Sequence, residues 1–394
     1  MILSTLFVGA ALAADCTALV GDSVLLPGQG LVPGVVVIEG DFIREVTDVA
    51  PEGCEVVELA EGAVLSPAMV DARSNVGLVE VGMVRHSVDN DLGEGRVRAS
   101  FSTFDSFNPA SSLVAINRSS GVGTVINTPS GGRVSGVGTA MDLRGGTQAD
   151  SLVREGVALY ASMGGSAHAS GLRALSTLFE DARTLRTRGR DFERNAMRSL
   201  AAEPDELRAL LPAIDGEMPI VIGANRASDI EALLRWVEEE EVRVVLNGGA
   251  EAWVHAEALA AAEIPVMVNP LNFGPGNFDE LQARPDNSAL LDEAGVTVII
   301  PSYSAHNGRK IRQIAGNAVR EGMSWTSAIE GITSAPAAVF GLEDRGALRP
   351  GAAANVVIFS GDPLELSTTV SRMWLGGEEV DLGNRHKALM ERYR

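Results

Sequence analysis

The chain has 394 residues, enough for one large domain with a smaller one beside it. Hydrophobic residues make up 45% and charged residues 21% of it, which is ordinary for a globular protein and excludes a disordered or fibrous one. The formal net charge of −20 argues against binding to nucleic acid or to anionic membrane surfaces, because both would repel the protein.

The first residues form an apolar run from Ile2 to Leu12, which includes Ala11-Leu12-Ala13, a small-x-small pattern typical of a cleavage site. No Lys or Arg precedes the run, which departs from the usual pattern of a secretory signal. The run is too short to span a bilayer as a retained helix. We therefore predict a signal peptide over residues 1–13 and a secreted or periplasmic mature chain, with no membrane insertion after cleavage.

Two cysteines, Cys16 and Cys54, lie near the start of the predicted mature chain. Export would allow them to form a disulfide, because oxidising compartments preserve such bonds. The alternative is a pair of free cysteines that behave as small hydrophobic side chains. The sequence leaves both interpretations open.

Short apolar or alternating runs separated by turn signals predict a small β module in residues 16–62, with further strands in residues 346–380. Between them, apolar runs alternate with amphipathic helical stretches, which is typical of βα units and a parallel sheet. Seven strands are predicted in this part, at residues 63–70, 123–127, 157–162, 219–224, 243–247, 265–269 and 296–302. We expect an eighth, short strand between Gly164 and Pro219. The clearest predicted helices are residues 229–240, 252–262, 287–294 and 309–322, and residues 172–211 form a long arginine-rich helical stretch.

The stretch Pro67-Ala68-Met69-Val70-Asp71-Ala72-Arg73-Ser74-Asn75 resembles the first barrel strand of the metal-dependent amidohydrolases, especially the imidazolonepropionase-like branch. In that branch the strand is written Pro-Gly-Leu-Ile-Asp-x-His-x-His. Further along, Ala224-Asn225-Arg226-Ala227-Ser228-Asp229-Ile230 resembles the branch's His-Ala-x-Arg-Ala-x-Asp-Ile region. Residues 333–337 and 340–342 resemble its Thr-x-x-Pro-Ala and Gly-Leu helix. The similarity extends over nearly the whole predicted mature chain.

The resemblance implies an α/β fold, a (β/α)8 TIM-like barrel with a small β-sandwich built from both chain termini. The predicted domains are the signal peptide, residues 1–13, the sandwich, residues 14–62 plus 345–383, the barrel, residues 63–344, and a C-terminal tail, residues 384–394.

In that family, one or two divalent metals at the C-terminal mouth of the barrel activate a water molecule and polarise the scissile carbonyl. The resemblance implies histidine ligands on strands one, five and six, often a carboxylated lysine or a glutamate on strand four, and an aspartate on strand eight. At these positions the chain has Arg73 and Asn75 on strand one, Gly223 or Asn225 on strand five, Gly248 beside Asn247 on strand six, and Ser302 or Tyr303 on strand eight. No lysine precedes Lys310. Arginine cannot ligate a metal, so we predict no metal cofactor, although the family typically uses zinc or another divalent ion.

Among the five histidines, only His306 is expected near the mouth, with Arg309 beside it. His306 could contact a ligand or only bond to loop backbone, and Arg309 could face an anion or only begin a helix. Glu251 and Glu80 are candidate general bases, with solvated loop carboxylates as the alternative. Ser302 is a candidate nucleophile, but no acid that would orient His306 can be named.

Asparagines occur at or near the ends of five predicted strands: Asn75, Asn127, Asn225, Asn247 and Asn269. Because the amide both donates and accepts hydrogen bonds, a ring of asparagines could bind a neutral polar ligand. The alternative is that these residues cap helices or form turns after the strands.

We interpret the chain as a secreted amidohydrolase-like protein without the family's metal ligands, a non-catalytic subunit that binds a small polar ligand or an intact paralogous subunit. The alternative is a hydrolase that acts on non-peptide C–N bonds of a small cyclic amide or peptide-like substrate, through a metal-independent or rebuilt site. The candidate residues at the mouth are Arg73, Asn75, Asn225, Asn247, Glu251, Ser302, His306 and Arg309.

Overall fold

The computed structural model describes residues 16–91, 93, 97–164, 168–194 and 198–394. The predicted signal peptide lies outside the described residues. The strands are β1 (Thr17–Leu26), β2 (Gly30–Glu39), β3 (Phe42–Thr47), β4 (Glu55–Glu58), β5 (Val64–Pro67), β6 (Met69–Ser74), β7 (Val122–Asn127), β8 (Val134–Asp142), β9 (Leu152–Ser162), β10 (Ile220–Ala224), β11 (Val244–Gly248), β12 (Val266–Val268), β13 (Val298–Ile299), β14 (Val356–Phe359), β15 (Val370–Leu375) and β16 (Glu378–Glu379).

The helices follow the strands in the expected alternation over most of the barrel. They are α1 (Ser112–Arg118), α2 (Gln148–Ser151), α3 (His168–Glu193), α4 (Pro204–Ala209), α5 (Leu211–Ile214), α6 (Ala227–Glu240), α7 (Ala256–Ala261), α8 (Asn287–Glu293), α9 (Ile311–Arg320), α10 (Trp325–Glu330), α11 (Ser334–Val339) and α12 (Arg385–Arg392). Short 3₁₀ segments occur at Arg85–Ser87, Ala252–His255 and Gly308–Lys310. The described part of the chain contains no helix with the length and apolar character needed to cross a bilayer.

Strands from both ends of the chain form one eight-stranded sheet, in the order β16-β15-β14-β5-β1-β2-β3, with β4 paired to β1. Leu19, Ile38, Val356 and Trp374 lie in one hydrophobic core. The strands in residues 17–67 and 356–379 therefore share one apolar interior, which stabilises both groups of strands. The predicted β module built from both termini is confirmed.

Cys16 and Cys54 are joined by a disulfide, with a sulfur–sulfur distance of 1.97 Å. The bond links the residue before β1 to the residue before β4, and these two strands pair in parallel. Of the two interpretations left open by the sequence, the structure therefore has the disulfide.

The second eight-stranded sheet forms a nearly closed barrel in the order β13-β12-β11-β10-β9-β8-β7-β6. Neighbouring strands are parallel except around β8, which runs antiparallel to both β7 and β9. Val70, Ile126, Val221 and Ile299 lie in the core that fills the barrel interior. The predicted TIM-like barrel is confirmed, with one reversed strand.

The predicted position of the eighth strand is wrong. The described residues between 164 and 219 are α3, α4, α5 and their connections, and the eighth strand is β8. Its sequence is interrupted by Gly136 and Gly138, so it contains no apolar run of the usual length. A Cβ at Gly138 would lie 2.6 Å from the ring of Tyr160 on β9, which explains a glycine where the pattern predicts a larger residue.

The predicted strand at residues 63–70 is two strands in two different sheets. β5 pairs with β14 in the terminal sheet, and β6 pairs with β7 in the barrel. Only Ala68 separates them. Because the chain is buried on both sides of this point, its hydrophobic pattern does not reveal the change of sheet.

The predicted helices correspond to α6, to the 252–255 segment with α7, to α8 and to α9. The long helical stretch predicted at residues 172–211 is α3 followed by the shorter α4 and α5. α3 is not continuous, because Arg188 has non-helical dihedral angles of φ −122° and ψ 26°.

Candidate functional site

Two connected cavities open at the carboxyl ends of the barrel strands. The first, here called the asparagine lobe, has a volume of ≈ 410 Å³ and is bordered by Asn225, Asn247 and Asn269. The second, the arginine lobe, has a volume of ≈ 670 Å³ and is bordered by Arg133 and Tyr160. The two lobes share four bordering residues: Arg73, Gly164, Gly223 and Asn247. They form one mouth, in the place where barrel proteins bind their ligands.

Arg73 lies at the centre of this mouth, near the end of β6. Its guanidinium carbon lies 5.0 Å from the centre of the Tyr303 ring, a cation–π contact. In the described part of the chain, the guanidinium has no carboxylate within 4.0 Å and donates no side-chain hydrogen bond. The Tyr303 hydroxyl donates to the backbone oxygen of Met267 at 2.9 Å, which fixes the ring. Arg73 therefore presents its N–H donors to the mouth.

Three of the five asparagines in the predicted ring border the asparagine lobe. Asn225 is already engaged, since its Nδ2 donates to Glu280 at 3.3 Å and its Oδ1 accepts from the Ala250 amide at 3.3 Å. Asn269 accepts from the Leu271 amide at 3.1 Å, as a turn-forming asparagine does. The Oδ1 atom of Asn247 is buried and accepts no hydrogen bond from a described residue. Asn247 is therefore the amide with free capacity for a ligand.

The other two asparagines do not border either lobe. Asn127 is fully buried, and Asn75 accepts a hydrogen bond from the Ala305 amide at 2.6 Å through its Oδ1. Asn75 thus fixes the loop that follows β13. Only three of the five predicted asparagines therefore border the mouth. Side chains alternate between the two faces of a strand, so a residue near a strand end can point away from the mouth. At the end of β6, a bulge also shifts the register of the strand.

Ser302 does not reach the mouth, because it closes the barrel. Its amide and its hydroxyl donate to the two oxygens of Asp71 at 3.0 and 2.5 Å. These bonds join the segment after β13 to β6, two strands that have no ladder between them. Ser302 is buried, and its hydroxyl is occupied by Asp71, so it is not placed as a nucleophile.

Glu251 is also a structural residue. Its carboxylate accepts from the amide of Ala227, the first residue of α6, and from the amide of Gln282, both at 2.8 Å. The carboxylate satisfies one of the free amides at the start of the helix. Glu251 borders neither lobe and is buried, which corrects its prediction as a general base at the mouth.

His306 and Arg309 lie away from the mouth, in a separate groove that also contains Glu80. Ser111 donates to the Glu80 carboxylate at 2.5 Å, and Ser112 donates to it as well. Partial burial raises the pKa of Glu80, but these hydrogen bonds outweigh it and bring the pKa below its usual value. Glu80 is therefore ionised at neutral pH and poorly suited to act as a base.

His168, which the sequence did not suggest, is the histidine at the mouth. It borders the asparagine lobe, and its Nδ1 lies 2.6 Å from Asp229 and 2.9 Å from Arg226. Arg226 donates to both oxygens of Asp229, at 2.8 and 2.9 Å. Partial burial raises the pKa of Asp229, but the hydrogen bonds from Arg226 and His168 bring it below its usual value. No local pattern indicates this cluster, because His168 and Asp229 are 61 residues apart in the chain.

Comparison with known proteins supports the fold assignment. A model of an amidohydrolase family matches residues 256–381. No curated protein matches the chain. Among solved structures, an amidohydrolase from Thermotoga maritima MSB8 is similar over 93% of this chain and 99% of that chain, with a TM-score of 0.83 and 22% identity.

Two more distant structures have the same fold. An N-isopropylammelide isopropylaminohydrolase from Burkholderia multivorans ATCC 17616 is 15% identical, with a TM-score of 0.52 over 92% of this chain and 98% of that chain. A mutant atrazine chlorohydrolase from Arthrobacter aurescens TC1, complexed with zinc and atraton, is 13% identical, with a TM-score of 0.55 over 96% of this chain and 99% of that chain. The chain has the fold of the amidohydrolase superfamily.

The residues at the amidohydrolase ligand positions do not fit a divalent metal. Zinc takes at least three nitrogen, sulfur or oxygen donors from the protein. Within the described residues, no group of three His, Cys, Asp or Glu side chains is placed to hold a metal. The strand-one positions have Arg73, which cannot ligate, and Asn75, whose oxygen is already bonded to Ala305.

The strand-six position disfavours any side chain, because of its backbone conformation and its contact with Asn225. Gly248 has a φ of +100°, and a Cβ built there would collide with the Oδ1 of Asn225. By contrast, Gly223 at the strand-five position has open space, since the nearest atoms to a built Cβ lie 3.8 Å away, on Asn247. The geometry therefore requires glycine at position 248 and does not require it at position 223.

We predict that Gly248→Ala lowers the free energy of unfolding by about 2 kcal/mol, because the new methyl group meets Asn225 and the positive φ disfavours alanine. Gly223→Ala, the matched control on the neighbouring strand, should change it by less than about 0.5 kcal/mol. Urea unfolding followed by circular dichroism measures both. Equal effects of the two substitutions would contradict the geometry described for the mouth.

A second prediction concerns Asp71, which is fully buried. Burial raises the pKa of its carboxyl to about 6, although hydrogen bonds from Ser302 and Arg73 oppose the shift. The folded protein therefore holds this proton more tightly than the unfolded chain, in which the pKa is about 3.9. It follows that Asp71 contributes stability at low pH, and that this stability is lost as the pH rises from about 4 through 6.

The Asp71→Asn variant lacks this titration. Relative to the variant, the wild-type protein should lose about 2 kcal/mol of unfolding free energy between pH 4 and pH 7, which is less than the full equivalent of a two-unit pKa shift because the unfolded carboxyl is already half ionised at pH 4. Urea unfolding of both proteins at the two pH values measures the difference. If the two proteins show the same dependence on pH, Asp71 is not buried as described.

Proposed function

We propose that the chain is a secreted amidohydrolase-fold protein that binds a small polar ligand at the barrel mouth without a metal and without hydrolysing it. The observation that carries the proposal is Arg73, a cation at the centre of the mouth, at a position where the family has a metal ligand. It has no anionic partner in the described part of the chain. A protein that keeps the cavity of the barrel but has other residues in place of the metal ligands is suited to binding a small molecule without hydrolysing it.

Electrostatics supports the proposal that no metal binds. At an effective dielectric constant of about 20, a divalent ion placed about 4 Å from the guanidinium would be repelled by roughly 8 kcal/mol. An oxygen-rich ligand set could offset such a cost, but the carboxylates that border the asparagine lobe have partners of their own: Glu280 accepts from Asn225 at 3.3 Å, and Asp279 lies 3.5 Å from Arg226. In this proposal, the guanidinium of Arg73 supplies the positive charge that a divalent metal ion supplies in the family.

The contacts of the other candidate groups support binding rather than catalysis. A general base or a nucleophile must reach the substrate, and Ser302 and Glu251 are both buried in structural hydrogen bonds. His306 lies in a different groove. His168 lies between Asp229 and Arg226 at the rim of the mouth. By contrast, the buried amide oxygen of Asn247 accepts no hydrogen bond from a described residue, so a ligand donor that reaches it would be favoured.

Export is part of the proposal. The apolar N-terminal run predicts a signal peptide, and the disulfide between Cys16 and Cys54 suits an oxidising compartment. We predict that the protein accumulates outside the cytoplasm as a chain that begins at Ala14 and has no free thiol. The intact mass of the exported protein, with and without a thiol reagent, measures both properties. A cytoplasmic chain that still begins at Met1 and reacts with the reagent would contradict export.

Metal analysis tests the proposal directly. Mature protein purified without chelators or a histidine tag should contain less than about 0.1 zinc, manganese or iron per chain, and added zinc or manganese should not raise its melting temperature. Treatment with a chelator, as the matched control, should leave the melting temperature unchanged. One metal per chain, removed by chelator together with a drop in melting temperature, would contradict the proposal and support the part of the alternative in which the hydrolase site is rebuilt.

A further inference from the structure

We propose that the arginine lobe binds a small oxyanion, the carboxylate or phosphate group of a ligand, between the guanidinium groups of Arg73 and Arg133. This inference rests on the proposed function, because it assigns the chemical class of the ligand that the metal-free mouth would hold. It concerns a part of the mouth, the side of β8 and β9, to which neither the sequence nor the comparisons assigned a role.

The charge of the lobe is the first support. Arg73 and Arg133 border it, and no carboxylate of the described residues does so. In a chain with a net charge of −20, a cavity with two positive charges and no negative charge stands apart from the rest of the protein. Paired arginines match the planar, bidentate geometry of carboxylates and phosphates better than any other side chains do.

Both guanidinium groups keep free donors. Arg133 donates from Nη1 to the backbone oxygen of Ser162 at 2.9 Å and has no carboxylate within 4.0 Å among the described residues. Arg73 contacts the face of the Tyr303 ring. This cation–π contact involves the positive charge of the guanidinium and leaves its five N–H donors available. Both side chains are half-buried at the lobe, so their remaining donors can form charge-assisted hydrogen bonds with the acceptor oxygens of a ligand.

Neutral donors complete the lobe. The hydroxyl of Tyr160 is buried beside Thr128 and makes no hydrogen bond of acceptable geometry to a described residue. Burial raises the pKa of this phenol to about 12, so it stays protonated and can donate to an anion at neutral pH. Thr128 and Ser162 also border the lobe; the Thr128 hydroxyl donates to the backbone oxygen of Ile126 at 3.4 Å, whereas the Ser162 hydroxyl accepts from the Gly164 amide at 3.0 Å.

Arg133 is held in position before any ligand arrives. Its backbone oxygen accepts from the Ser162 amide at 3.0 Å, and its side chain lies against Gly164, where a Cβ would be 2.8 Å from Nη1. The side chain is therefore anchored to the end of β9 by Ser162, beside Gly164, which borders both lobes. A preorganised arginine loses little rotamer entropy on binding, which strengthens the interaction with an anion.

The experiment is isothermal titration calorimetry of the mature protein at low ionic strength. The probes are succinate, inorganic phosphate and succinamide, the neutral diamide of the first. We expect succinate or phosphate to bind, with succinamide at least tenfold weaker, because only the anions form charge-assisted hydrogen bonds with the arginines. The comparison of succinate with phosphate distinguishes a carboxylate from a phosphate ligand.

Three variants assign the binding to the lobe. Arg73→Gln and Arg133→Gln should each weaken binding of the anion at least tenfold. Arg133→Lys, which keeps the charge but not the fork of donors, should recover part of the affinity. Arg309→Gln, the matched control, removes an exposed arginine from the other groove and should change binding less than twofold. Circular dichroism checks that each variant is folded.

The result that would overturn the inference is binding of neither anion, equal binding of succinamide, or unchanged binding by folded Arg133→Gln. Metal content measured on the same sample separates the two proposals. A protein without metal that binds no anion contradicts the inference and leaves the proposed function in place. A metal-containing protein whose anion binding still depends on Arg133 contradicts the proposed function alone.

Discussion

The mouth depends on the hydrogen bonds between Asp71 and Ser302, which close the barrel. β6 and β13 have no ladder between them, and the buried carboxylate of Asp71 holds the amide and the hydroxyl of Ser302 across this gap. Arg73 lies two residues after Asp71, and Tyr303 lies one residue after Ser302. The closure therefore also places the guanidinium over the aromatic ring, at 5.0 Å from its centre. The strained backbone of Tyr303, with a φ of +59°, is a consequence of this turn.

This arrangement changes the chemistry that the fold can support. An amidohydrolase mouth normally surrounds a bound cation with neutral and negative ligands, whereas in the function that we propose the cation is Arg73, a covalent part of the chain. A fixed guanidinium attracts anions and does not activate water as a divalent metal does. The same fold would then serve recognition instead of hydrolysis, in agreement with the principle that function resides in the site and not in the fold.

The sequence was sufficient for the barrel and the terminal sheet, because buried parallel strands form continuous apolar runs and the family's segments remain recognisable. It did not reveal β8, whose glycines allow close packing on Tyr160 and interrupt the pattern. It suggested Arg73, Asn225 and Asn247, which lie at or just after the ends of strands at the mouth. It did not suggest Arg133 or His168, because β8 was not recognised and the partners of His168 lie far along the chain. Nor could it show that Glu251, Asn75 and Ser302 are occupied by backbone amides and by Asp71, since such bonds exist only after folding.

The most direct test of this account is a crystal structure of the mature protein grown with manganese and succinate, with diffraction data collected at the manganese absorption edge. The account predicts no anomalous signal at the mouth and electron density for a carboxylate between Arg73 and Arg133. An anomalous peak within bonding distance of residues at the mouth would show a metal where we place a guanidinium, and would contradict the central claim.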